Sequence, residues 1–148
     1  MRKVRILVVS PPALSQLIEY LFRDRPEFEV VGSLNGLRNM GQQAGQLCPE
    51  LIIANVKPIR MAFCQVVAVI KGSSPFSKLI LICPARDFVL SARRCGADAC
   101  LEQEEVVQRL LRTALALSER IGCRLPRVEK SWCKPLHSAL GNQRRRNQ

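Results

Sequence analysis

The stretch Val4-Arg5-Ile6-Leu7-Val8-Val9, closing on Ser10-Pro11-Pro12, decides how the rest of the chain is read. Its last four apolar residues are contiguous, with no polar residue alternating among them. Such a run suits a strand covered on both faces, as in a parallel sheet, and not a half-solvated antiparallel strand. Pro12 fits the first turn of a following helix, where its missing N–H costs nothing. Beyond it Leu14, Leu17, Ile18, Leu21 and Phe22 recur at helical spacing and form one apolar stripe.

The same alternation repeats along the chain. Strands are expected at Val4–Val9, Glu29–Gly32, Leu51–Asn55, Leu79–Cys83 and Ala99–Leu101. Helices are expected at Pro12–Arg23, Leu37–Cys48, Met61–Lys71, Ala85–Cys95 and Glu105–Ile121. The last carries the stripe Val106, Leu110, Leu111, Leu115 and Leu117. Glu102, Glu104 and Glu105 precede it, where the helix dipole favours acids. Parallel strands need crossover helices. Five strand–helix repeats therefore predict a doubly wound α/β fold with a five-stranded parallel sheet in the flavodoxin-like order 2-1-3-4-5. In that order a site forms outside the carboxyl ends of strands 1 and 3. The residues placed there are Ser10, Pro11 and Pro12 on one side and Asn55, Val56 and Lys57 on the other.

Of the 148 residues, 47% are hydrophobic and 24% charged, which excludes a wholly disordered chain. No apolar run reaches the roughly 20 residues of a membrane span, so no membrane partner is expected. Arg2 and Lys3 precede apolar residues, but the run Ile6–Val9 is too short for a secretory signal. A cytoplasmic location follows. The seven cysteines, none with two-residue spacing, are expected to be reduced thiols serving mainly as small core hydrophobes. The net charge is +11. Residues 1–117 form the expected domain. Residues 118–148 hold eight Lys and Arg against two Glu and read as a helix extension and a basic, flexible tail ending in Arg144-Arg145-Arg146.

Four words in register with this repeat, Val4–Val9, Phe28-Glu29-Val30-Val31-Gly32, Pro49-Glu50-Leu51-Ile52-Ile53 and Gly96-Ala97-Asp98-Ala99, carry a family likeness. From about residue 3 to residue 117 the chain resembles a response-regulator receiver domain, of the variety fused to LuxR-type helix-turn-helix domains. The resemblance implies an acidic pair after strand 1, where Ser10 and Pro11 stand here. It implies a phosphate-accepting aspartate at Asn55, a Thr or Ser at Cys83, a switch aromatic at Cys100 and a lysine at Gln103. The scaffold is expected to be retained and the phosphorylation switch lost, a degenerate pseudo-receiver. Magnesium prefers carboxylate and water oxygens, which a hydroxyl, a proline and a neutral amide do not replace. An amide also lacks the nucleophilic oxygen that forms an acyl phosphate.

Each of these residues has two readings. Asn55 either hydrogen-bonds loop backbone or, being neutral, locks one conformation for a constant partner. Cys83 and Cys100, on neighbouring strands, either pack as core or form a redox pair. Cys123, Cys133 and His137 lack a fourth ligand for zinc, so no metal or other cofactor is expected. His137, the sole histidine, offers no partner for a catalytic centre. The chain is thus read as no enzyme. Arg86, Arg93 and Arg94 on the fourth helix and Arg109 and Arg112 on the fifth, with the terminal arginines, are candidate contacts for an acidic protein or a nucleic acid. The face of the fourth and fifth helix–strand units is also a possible homodimer contact. No helix-turn-helix follows Leu117. The leading reading is a non-phosphorylatable regulatory module acting by protein–protein contact in signalling or gene regulation. The alternative is a nucleic-acid-associated accessory protein gripping with its basic surface and tail.

Overall fold

In the computed structural model, residues 2–55 and 63–124 are described. Five strands alternate with five helices: β1 Val4–Val9, α1 Pro12–Phe22, β2 Phe28–Leu34, α2 Met40–Leu47, β3 Leu51–Ala54, α3 Phe63–Ser73, β4 Lys78–Cys83, α4 Arg86–Arg94, β5 Ala99–Glu102 and α5 Val106–Arg124. A short 3-10 turn, Gln103–Glu105, leads into α5. All neighbouring strands pair in parallel, in the order β2-β1-β3-β4-β5. The expected doubly wound fold and strand order are those observed. Val56, Lys57, Trp132, Cys133, His137 and Arg144–Arg146 fall outside the described residues, as does the side chain of Cys123.

The contiguous apolar runs are explained by two cores, one on each side of the sheet. Ile6 and Val8 of β1, Leu51 and Ile53 of β3, and Ile80 and Ile82 of β4 face α1 and α5. The intervening Leu7, Val9, Ile52, Ala54, Leu79, Leu81 and Cys83 face α2, α3 and α4. Alternate side chains of a strand point to opposite faces, so a strand with both faces covered must be apolar throughout. Truncating any one of these buried Leu or Ile residues to Ala costs about 2–5 kcal/mol.

Local chemistry sets the boundaries. Helix α2 begins three residues later than the apolar pattern suggests because Asn39 is left-handed, φ 64°, a conformation an α-helix does not contain. Along β1 and β2 the register slips: Ile6 pairs with Val30 but Leu7 with Gly32. Gly32 sits at that slip with Leu47 of α2 pressed onto it. A Cβ there would stand 2.6 Å from Leu47 Cδ1, so any larger residue requires the Leu47 side chain to shift. Farther on, Gly96 (φ 107°) turns the chain from α4 into β5. Asp98 then ties the entry of β5 to β4 and α3. Its carboxylate accepts from Leu79 N–H at 2.8 Å and from Lys71 Nζ at 2.6 Å, with Lys78 Nζ at 3.6 Å.

Candidate functional site

The carboxyl ends of β1 and β3 lie side by side, Asn55 N–H donating to the Val9 carbonyl at 2.7 Å. Ser10 and half-buried Asn55 thus share the switch point. Ser10 is buried, and its N–H donates to Leu34 C=O at 2.8 Å, fastening β1 to β2. Its hydroxyl lies 2.5 Å from that of Ser15, a buried residue in the second turn of α1. The same hydroxyl reaches Pro11 C=O at 3.1 Å, and Ser15 Oγ reaches Ser10 C=O at 3.3 Å. The two serines satisfy each other and the local backbone. Spacing alone did not single out Ser15; its signal is a polar residue inside the apolar stripe of α1. A cleft of about 270 Å³ opens beside this pair toward β2, lined by Ser10, Ser15, Gln16, Glu19, Ser33 and Asn35.

The other family positions follow. Cys83, buried, ends β4 in register with Glu102. Cys100 lies on β5 opposite Leu81, half-buried against the same core side as Cys83. Gln103 is exposed in the turn after β5 and places a neutral amide where the family likeness implies a cation. Burial, reinforced by neighbouring Cys100, pushes the Cys83 thiol up to about 12. Burial also raises Cys100, partly opposed by the charge of Arg93. Both side chains therefore stay protonated thiols at neutral pH.

This donor set does not fit magnesium: the ends of β1 and β3 present one internally bonded hydroxyl, a proline and an amide. Among the described residues, no group of three or more His, Cys, Asp or Glu is placed to hold a metal.

The basic face is less basic than the arginine count suggests. Arg86, Arg93 and Arg94 are exposed on α4, and Arg109 and Arg112 on α5. Arg109 Nη1 binds Glu105 Oε2 at 2.6 Å. A hydrogen bond from Arg109, then one from the Glu102 N–H, holds the Glu105 carboxyl below its usual range, with Arg86 also acting on it. Arg93, Arg94 and Arg112 take part in no ion pair among the described residues. Phe88 and Leu90 of α4 and Val107 of α5 are exposed apolar residues on these same helices.

The cysteines require a correction. Instead of being uniformly reduced, Cys64 and Cys95 form a disulfide, and Cys48 is disulfide-bonded as well. Cys83 and Cys100 are free. Cys64 and Cys95 are 31 residues apart in sequence, but the start of α3 meets the end of α4. Their Cα atoms are 4.7 Å apart, inside the roughly 4.4–6.8 Å a disulfide spans.

No protein-family model and no curated protein matches the sequence. Solved structures do match. A two-component response regulator of the LuxR family from Aurantimonas sp. SI85-9A1 superimposes with a TM-score of 0.68 at 15% identity, covering 78% of this chain and 85% of that one. The isolated receiver domain of RcsB from Salmonella enterica serovar Typhimurium, with the phosphomimetic BeF3−, gives 0.70 at 14% identity, covering 80% and 90%. The chain has the receiver fold. RcsB in a complex with DNA gives 0.69 at 13% identity, and there the match covers 80% of this chain but 64% of that one. Within the receiver fold, Ser10, Pro11 and Asn55 stand at the strand ends where the family likeness implied acids. Among the described residues, no helix is long and apolar enough to cross a membrane.

Proposed function

We propose that this chain is a pseudo-receiver, a regulatory module that works by binding a partner and not by accepting phosphate. In this reading residues 1–117 are the module and residues 118–148 a helix extension with a basic arm. The observation that carries it is the buried Ser10–Ser15 hydroxyl pair, 2.5 Å apart, at the carboxyl end of β1. It stands where a receiver needs charged oxygens for magnesium. With Pro11 beside it and an amide at Asn55, neither metal capture nor acyl-phosphate formation has its groups. Ser10, Pro11 and Asn55 supply no acid–base pair, which supports a non-enzymatic role in signalling or gene regulation. Arg93 and Arg94 of α4 and Arg112 of α5, with Phe88 and Leu90, supply cations and apolar surface for an acidic protein partner or a second copy of the chain.

Incubation of the full chain with acetyl phosphate and magnesium tests the reading. Its mass should not change. A base-labile phosphoryl adduct at the strand ends would overturn it.

A second reading, a nucleic-acid-associated accessory protein, is favoured by the net charge of +11 and by the likeness to RcsB, which is solved in complex with DNA. Affinity capture with and without nuclease separates the two. A partner bridged by nucleic acid is lost on digestion, and a protein partner remains.

A further inference from the structure

Cys64 stands in the first turn of α3, and Cys95 is the C-terminal cap of α4. Their disulfide fastens one helix to the other. The two cysteines are unequally exposed. Cys64 is exposed, whereas Cys95 is half-buried and packs against the core beneath α3 and α4. The helix held in this way is short and lightly buried. Helix α4 spans nine residues, buries only Ala92 fully and has no side-chain cap at Ala85. A helix shorter than about 12–15 residues keeps its shape through tertiary contacts and not by propensity. Cys83 and Cys100 belong to the same core as Ala92 and Cys95 of α4, so an opening of α4 bears on both free thiols.

We propose that Cys64–Cys95 is a thiol–disulfide exchange site at which a dithiol reductant releases α4 from α3. A thiolate of the reductant attacks the sulfur of Cys64, the more exposed of the two residues. The Cys64–Cys95 bond breaks, a mixed disulfide forms on Cys64, and Cys95 leaves as a thiolate that takes a proton. The second thiol of the reductant then attacks its own partner sulfur in the mixed disulfide and closes the reductant's disulfide. Cys64 leaves and is protonated. Two electrons and two protons pass from the dithiol to the protein disulfide. Cys83 and Cys100 are poor internal competitors, because burial favours their protonated form and a thiol is a poor nucleophile. Phe88, Leu90, Arg93 and Arg94 ride on the released helix, so the surface offered to a partner changes with redox state. The exchange goes beyond the regulatory reading and stands whether or not the chain accepts phosphate.

The test uses the full-length chain carrying Cys48→Ser, which removes the other described disulfide cysteine, before and after dithiothreitol. Thiol labelling is read residue by residue by peptide mass mapping, and amide hydrogen exchange is read over residues 86–94. Reduction should speed labelling of Cys83 and Cys100, and exchange in α4, by about tenfold or more, because local opening limits both. The Cys64→Ser/Cys95→Ser double variant should show the fast rates without reductant. If that variant does not fold, the reduction series decides alone. Unchanged rates in α4 and at Cys83 and Cys100 after full reduction would overturn the proposal. So would a Cys64–Cys95 bond that resists dithiothreitol in the folded chain but not in denaturant.

Discussion

Ser10 Oγ and Ser15 Oγ face each other at 2.5 Å, both buried, one at the end of β1 and the other on α1. The pair links strand to helix at the carboxyl end of β1. Removing one hydroxyl leaves its partner a poorer set of contacts. Ser15→Ala is expected to cost about 1 kcal/mol, measured by urea denaturation of the full chain. No loss would mean that the pair contributes nothing to holding α1 on the sheet.

Restoring acids tests the same site from the other direction. Asn55→Asp alone should remain unmodified by acetyl phosphate, because the positions after β1 still lack carboxylates for magnesium. Only the triple change Ser10→Asp/Pro11→Asp/Asn55→Asp should gain measurable magnesium binding, read by isothermal titration. Phosphorylation of Asn55→Asp by itself would show that the metal ligands are not the missing part.

Cys64→Ser reports on the disulfide as a staple. Its 31-residue separation corresponds to a loop-closure contribution of about 3–4 kcal/mol. The variant should unfold at correspondingly lower denaturant, and variant and wild type should converge once both are reduced, because reduction also opens the Cys48 disulfide. An unchanged midpoint would mean that the reduced chain already keeps α3 and α4 together.

Asp98 predicts an acid limb. Burial pushes its carboxyl up, but hydrogen bonds from Lys71 and the Leu79 N–H, with the charges of Lys71 and Lys78, outweigh burial and leave it below its ordinary value. A carboxyl lowered on folding contributes stability above its unfolded pKa, about 3.9. That contribution disappears as pH falls through the lower folded value. Asp98→Asn should therefore cost about 1–3 kcal/mol at neutral pH. The gap from wild type should close below about pH 4. A gap independent of pH would assign the loss to geometry and not to charge.

The basic arm predicts a salt dependence. If residues 118–148 grip nucleic acid, binding to unrelated DNA fragments should weaken with salt, at a slope of roughly −0.9 per phosphate neutralised. Truncation after Gly141 removes Arg144, Arg145 and Arg146 and should flatten that slope by up to about 3. All sequences should be affected alike, because phosphate contacts carry no base information. Equal binding by both chains would move the grip to Arg93, Arg94 and Arg112. No binding by either at low salt would leave an acidic protein as the partner.

The amino-acid sequence by itself determined the two-sided parallel sheet. Ile6–Val9, Leu51–Ala54 and Leu79–Cys83 are apolar at every position, and only strands covered on both faces require that. It also determined which groups stand at the strand ends, since Ser10, Pro11, Asn55 and Gln103 carry no acid and no cation wherever the backbone puts them. Tertiary structure alone decided relations between residues far apart in the chain. Cys64 meets Cys95 because the start of α3 packs against the end of α4, a contact no spacing rule encodes. At the register slip between β1 and β2, Gly32 meets Leu47 of another helix. The charge of the α4–α5 surface could not be counted from arginines, because Glu105 binds Arg109 and also lies within the field of Arg86. Hydrophobic periodicity is a local property and survives in one dimension. Pairings of sulfur, charge and close-packed backbone depend on distances that exist only once the sheet has formed.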